Sequence, residues 1–254
     1  MNDHSLLALA AELVREAGAA ILEIRSRGFQ VRQKDDLSPV TAADDKAEAI
    51  ILQGLRARCP DIPVIAEEET AAGQITAAAE TFWLVDPLDG TREFTEGNDE
   101  FTVNIGLVRN ARPVLGVVGA PALNETFYGI VGHGSWKESA AGRRAIAARS
   151  PPREGLTVVA SGRHGDTEKL DAFLQGWRVA RISNFGSSIK FCRLAEGVAD
   201  VYPRFGRTME WDTCAAQAVL ESAGGRVTTL DGKPLRYGKP GWENPHFVCW
   251  GRAP

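Results

Sequence analysis

The chain has 254 residues, 44% hydrophobic and 24% charged, with a formal net charge of −4, the composition of a water-soluble globular protein of one large domain or two closely packed ones. Such mild acidity gives no electrostatic footprint for duplex nucleic acid, which wants a basic domain. It does not exclude an anionic small molecule, because bound cations invert the charge of a local site.

Leu6, Leu9, Leu13, Ala17, Ala20 and Ile24 recur every three or four positions, interrupted by Glu12, Arg15, Glu16 and Glu23. That spacing predicts an amphipathic first helix, ended by Gly28, and neither a signal peptide nor a membrane span. Thr41 is placed to cap a second helix that stops before Pro60. A short buried strand over 62–66 runs into three glutamates, and a second strand over 81–85 delivers "LVDPLDGTREF". From Phe101, "FTVNIGLV", "PVLGVVGA" and "TFYGIVG", separated by turn residues, read as an antiparallel meander. "SPPREG" at 150–155 is the best boundary, dividing 1–150 from 151–254. Beyond it, strand and helix alternate: strand 156–161, helix near 166–175, strand near 177–182, helix 187–199, strand 200–203, helix 211–225, then closing strands. Helices and sheets in layers, an α+β class, fit this order. The cysteines at 59, 192, 214 and 249 form no CxxC pair, and no histidine is spaced to complete a zinc site. Free thiols in a reducing cytoplasm are the expectation.

The acidic residues carry two readings each. Asp86 and Asp89 flank a proline, which makes a sharp turn a sufficient account of them. Asp44, three residues after Thr41, suits a capping box, Asp212 suits the positive end of a helix, and the run Glu67–Glu68–Glu69 suits a solvated acidic loop. Taken together they stand at strand ends and helix starts with no set of histidines competing for the chemistry. Hard divalent cations take oxygen ligands, and Mg²⁺ takes carboxylates, waters and substrate phosphate. Asp86, the Leu88 carbonyl and Asp89 can face one way, while Gly90 and Thr91 open a helix whose free N–H groups suit a phosphate oxygen.

"DPLDGT" and "WDTCAAQAVLESAGG" together resemble the inositol monophosphatase-like, lithium-sensitive, metal-dependent phosphatases. "SPVTAAD", "IPVIAEEE", "LGVVGAP", "SWKE" and "GKPL" extend the likeness over nearly the whole chain. "GTREF", "GSSIK" and "YPRFG" are most similar to the bacterial 3′(2′),5′-bisphosphate nucleotidase branch. The resemblance implies a layered αβαβα sandwich and a phosphatase using two Mg²⁺ ions, with room for a third. Carried over by position, Glu67 resembles the glutamate ligand of the first metal, and Asp86 bridges both. The Leu88 carbonyl also coordinates, while Asp89 and Asp212 hold the second. Thr91, Asp44, Glu67 and Glu68 are implied to orient or activate the attacking water. Ala66 stands where a serine is common and Asp99 where a glycine is common; neither change removes a ligand.

The substrate so implied is 3′-phosphoadenosine 5′-phosphate, losing its 3′-phosphate to leave AMP. Its phosphates would meet Gly90, Thr91 and the metal site, with Lys190 first and Arg204 second as partners of the remote phosphate. Arg163 and His164 in "SGRHGD" are further candidates. An inositol or other sugar-phosphate phosphatase on the same metals is the alternative, and a non-catalytic metal- or nucleotide-binding regulator a third reading. Oligomeric state is not readable, and the resemblance leaves room for peripheral attachment to the inner membrane.

Overall fold

The apolar stripe at the N-terminus forms α1 (Asp3–Arg27), capped by the Asn2 side chain on Ser5 N at 2.9 Å and closed by Gly28 at φ 82°. Its buried line passes from Ala17 to Ile21, one full turn on, and leaves Ala20 and Ile24 half-buried. A four-residue step stays on the helix face where a three-residue step turns off it. The structure is a computed structural model that describes residues 1–34, 38–161 and 167–252. A small hairpin, β1 (Val31–Gln33) and β2 (Pro39–Thr41), follows α1 and leads into α2 (Ala42–Arg58).

Then come β3 (Val64–Ala66), the five-residue helix α3 (Glu67–Ala71), β4 (Thr81–Asp89) and the five-residue α4 (Thr91–Thr95). The three glutamates thus open a helix, where the sequence suggested a loop. Acidic side chains in a first turn face the positive end of the macrodipole. The meander is β5 (Thr102–Arg109), β6 (Arg112–Ala120) and β7 (Glu125–Ile130), and it continues through β8 (Gly134–Ser139) and β9 (Gly142–Ile146). These last two short strands escaped the sequence reading. The seven-stranded sheet runs β3-β4-β5-β6-β7-β8-β9, with only β3 and β4 parallel.

The remaining elements are β10 (Leu156–Ala160), α5 (Thr167–Leu174), β11 (Val179–Asn184), α6 (Ile189–Ala195), β12 (Val201–Arg204), α7 (Glu210–Ser222), β13 (Arg226–Thr229) and β14 (Phe247–Trp250). They build a five-stranded sheet in the order β11-β10-β12-β14-β13. Alternating side chains decide the layers. Val103, Ile105 and Leu107 of β5 pack with Leu9, Ile51 and Leu55 of α1 and α2. Val118 and Phe127 pack with Phe191, Ala216 and Leu220 of α6 and α7, and so do Tyr202 and Phe247 of the second sheet. Leu174 of α5 covers Leu156, Val158 and Val248 on the far side. The result is helix, sheet, helix, sheet, helix, the αβαβα order that the resemblance implied.

One feature of the seven-stranded sheet sets where α7 lies. Gly106, Gly116 and Gly129 pair across β5, β6 and β7. A Cβ on Gly116 would sit 2.2 Å from the Ala215 carbonyl oxygen, and one on Gly129 would sit 2.7 Å from the Val219 Cα. The glycines make a bare groove in which the backbone of α7 rests, and that seats the start of α7, with Asp212, over the end of β4.

Candidate active site

Asp86 pairs with Asn104 and Asp89 with Thr102, so β4 takes three steps where β5 takes two. That extra residue is a β-bulge, a device that re-aims side chains. The Asp-Pro-Leu-Asp run is therefore not a turn between strands. It is a strand end bent so that Asp86, Leu88 and Asp89 all border one cavity of about 520 Å³. Gly90 follows at φ 91°, where a Cβ would come 3.2 Å from the Glu100 carbonyl oxygen. That conformation suits glycine, and it turns the chain so that Thr91 also borders the cavity.

Single carboxylate oxygens of Glu67, Asp86 and Asp212 lie within 4.8 Å of one another. Asp89 borders the same cavity outside that tight group, and its Oδ2 accepts from the Ser188 backbone N–H. Asp212 Oδ2 accepts from Met209 N at 2.8 Å, so the residue serves as the helix-start acid and faces the cluster at once. Burial, then the charges of Glu67, Asp89 and Asp212, hold the Asp86 carboxyl well above the usual range. Burial and the neighbouring Asp89 and Glu67 do the same for Asp212. Asp89 is pushed up to about 6 by burial, against the pull of Lys190 and the Ser188 N–H. Oxygen-only donors, crowded in a desolvated place at the expense of their own ionisation, fit a hard divalent cation.

Thr91 is not the N-cap of α4; Gly90 is. The Thr91 hydroxyl lies 3.0 Å from Asp44 Oδ1 and 3.1 Å from the Leu88 carbonyl oxygen, and its one proton serves either acceptor. Asp44 also closes the capping box, its Oδ2 accepting from Thr41 N and Thr41 Oγ1 at 2.8 Å each. The capping-box reading of Asp44 thus holds, and the same carboxylate also meets the Thr91 hydroxyl. Burial raises its carboxyl above the ordinary value despite these donors.

Glu68 turns toward Lys34, which sequence reading had passed over: Lys34 Nζ donates to Glu67 Oε1 at 2.8 Å and Glu68 Oε1 at 2.7 Å. Burial and the charge of Glu67 push Glu68 up to about 7. Burial opposes the charge on Lys34, but Glu67 and Glu68 outweigh it and its ammonium is held above the ordinary range. Nothing local in "VRQK" marks Lys34; the β1–β2 hairpin carries it there. Glu48 was also missed, although it sits one turn after Asp44 on the same face of α2.

Lys190 and Arg204 both border the cavity. Lys190 is buried, donates to the Phe185 carbonyl at 3.1 Å, and is drawn down to about 8 by burial while Asp89 holds it up. Arg204 donates from Nη2 to the Arg207 carbonyl at 3.0 Å, and its buried Nε has no partner among the described residues. Arg163 and His164 lie outside the described residues.

The model of the Inositol monophosphatase family matches residues 2–247. The chain belongs to the inositol monophosphatase family. It is 44% identical over 247 residues to the "3′(2′),5′-bisphosphate nucleotidase CysQ" of Salmonella typhimurium, covering 95% of this chain and 98% of that one. The CysQ of Escherichia coli K12 is 43% identical over the same span. Among solved structures, CysQ from Bacteroides thetaiotaomicron, described as a bacterial member of the family, superposes with a TM-score of 0.83 at 36% identity over 98% of both chains. An IMPase from Thermotoga maritima gives 0.80 at 28% identity, over 98% of this chain and 92% of its own. Among the described residues no helix is long and apolar enough to cross a membrane.

Proposed function

We propose that the protein is a cytoplasmic, Mg²⁺-dependent 3′(2′),5′-bisphosphate nucleotidase. It hydrolyses 3′-phosphoadenosine 5′-phosphate to AMP and inorganic phosphate, with water supplying the new P–O bond as the bond to the ribose 3′-oxygen breaks. The observation that carries this reading is the near-full-length identity to nucleotidases of that name, on a chain whose acids converge as a hard-cation site. Residues 1–150 supply most of the site and residues 151–254 complete it.

Glu67, Asp86, Asp89, Asp212 and the Leu88 carbonyl hold two Mg²⁺ ions in this reading. When bound, such ions supply Lewis acidity and neutralise charge on a transferring phosphoryl group. The chain's own part is positioning. Asp44, its carboxyl raised by burial, takes a proton relayed through the Thr91 hydroxyl 3.0 Å away. Lys190 balances the charge of Asp89 at the cavity wall, which leaves Arg204, bordering the same cavity, as the readier partner of the 5′-phosphate. That order reverses the one read from sequence, because burial commits the lysine to its neighbours.

Phosphate release would be compared for 3′-phosphoadenosine 5′-phosphate, 3′-AMP and inositol 1-phosphate, with Mg²⁺ and with chelator. A site built to pair a second phosphate rejects substrates lacking it, so kcat/KM falls in that order and all activity disappears in chelator. Inositol 1-phosphate as the best substrate would hand the function to the inositol phosphatase reading, and turnover in chelator would end the metal reading.

A further inference from the structure

The N-cap of α3 is Ala66, which has no side-chain oxygen and makes no cap hydrogen bond. A serine at that position would accept from the second or third N–H of the helix. Here those two donors, Glu68 N and Glu69 N, go to Oε2 and Oε1 of Glu48 at 2.8 Å each. Glu48 reaches them from α2, and only 5% of its surface is exposed. Burial disfavours its charge, and Glu69 and Glu67 repel it further. No salt bridge to Glu48 occurs among the described residues. An acid is thus buried against acids, and the contact it makes is to the first turn of the helix that begins at Glu67.

That contact has a geometric consequence. The N–H of Glu68 lies in the same rigid peptide plane as the Glu67 Cα, so anchoring it, with Glu67 held in the helical backbone of α3, restricts the direction in which the Glu67 side chain leaves the backbone. We propose that Glu48 is a positioning residue, an N-cap supplied from another helix, that sets the Glu67 carboxylate against Asp86 and Asp212 in the geometry that binds the divalent cation. The inference rests on the reading of Glu67 as a ligand given above. Partners behind metal ligands commonly govern affinity in this way without touching the ion.

The test uses Glu48→Gln, which keeps one acceptor oxygen of two, and Glu48→Asp, which keeps the charge but draws it back by one methylene. Mg²⁺ binding to the metal-stripped protein is measured by calorimetry, the fold by circular dichroism, and kcat across Mg²⁺ concentrations. Each variant is expected to bind Mg²⁺ about ten-fold more weakly, the low end for such partners, with kcat at saturating Mg²⁺ little changed. A lowered melting temperature with wild-type Mg²⁺ affinity in both variants overturns the proposal, because a purely structural cap behaves that way. Where Glu48→Gln does not fold, Glu48→Asp carries the same comparison. Glu67→Gln, run in parallel, separates the two claims. If it leaves Mg²⁺ affinity untouched, the ligand reading fails. If it weakens binding while both Glu48 variants bind normally, the Glu48 inference alone fails.

Discussion

Thr91 joins the bent end of β4 to a helix 47 positions away, through Asp44 Oδ1. Because α4 is capped by Gly90, the hydroxyl is not needed for helix stability. Its loss does strip the buried Asp44 of one donor, so Thr91→Ala should lower stability by about 1 kcal/mol and reduce kcat by about 10²-fold, the usual scale for acid–base positioning. A drop in melting temperature with unchanged kcat would return Thr91 to a structural role. Asp212 carries two tasks, an acceptor for Met209 N and a cluster carboxylate. Asn at 212 keeps an acceptor for that N–H but removes the charge. Asp212→Asn should stay folded and lose activity by orders of magnitude; near wild-type turnover at saturating Mg²⁺ would remove Asp212 from the ligand set.

At the scale of elements, the bulge in β4 and the glycine groove under α7 do the placing. The bulge aims Asp86 and Asp89, and the groove lowers α7 until Asp212 meets them. Gly116→Ala tests the second device away from the cavity. Its new methyl would meet backbone at 2.2 Å, an atom that cannot swing aside as a side-chain tip does. Overpacking of this kind costs about 3 kcal/mol, the upper part of the usual range. Urea unfolding should show that loss, and Mg²⁺ affinity should fall with it as Asp212 is lifted. Full stability in the variant would mean that α7 is not seated by the glycines.

Across the whole molecule the acids set a pH dependence whose sign follows from linkage. Glu48 and Glu68 are raised from 4.5 to about 7, and Asp89 from 3.8 to about 6. A carboxyl raised by folding binds its proton more tightly in the native state, so metal-free stability increases as pH falls through that window and is lower above it. In chelator, the melting temperature should rise from pH 8 to pH 5.5, and Mg²⁺ should stabilise most at pH 8, where the acids are ionised. A metal-free melting temperature that falls steadily over that range would contradict these environments. The cavity draws on both sheets, so substrate choice also belongs to this scale. Arg204→Ala, on β12, should lower kcat/KM for the bisphosphate more than for 3′-AMP. Equal losses for both would show that Arg204 does not read the second phosphate.

The sequence by itself determined what local chemistry determines. Thr41 and Asp44 predicted a capping box, the spacing of leucines predicted α1, and "DPLDGT" with "WDTCAAQAVLESAGG" carried the family and with it the αβαβα layers. These are short-range patterns, legible because caps, periodicity and turn residues act over a few positions. Whether Asp86 and Asp89 made a turn or an aimed pair was not legible from the motif alone; the register against Asn104 and Thr102 in β5 decided it. Lys34 between Glu67 and Glu68, Glu48 under α3, and the burial that ties Lys190 to Asp89 had no signal in their own neighbourhoods. The first two depend on which side chain another element brings within about 3 Å, the reach of a hydrogen bond, and the third on a charge held nearby in a buried place. Only the packing of α2, α6 and the first hairpin around the end of β4 set those distances.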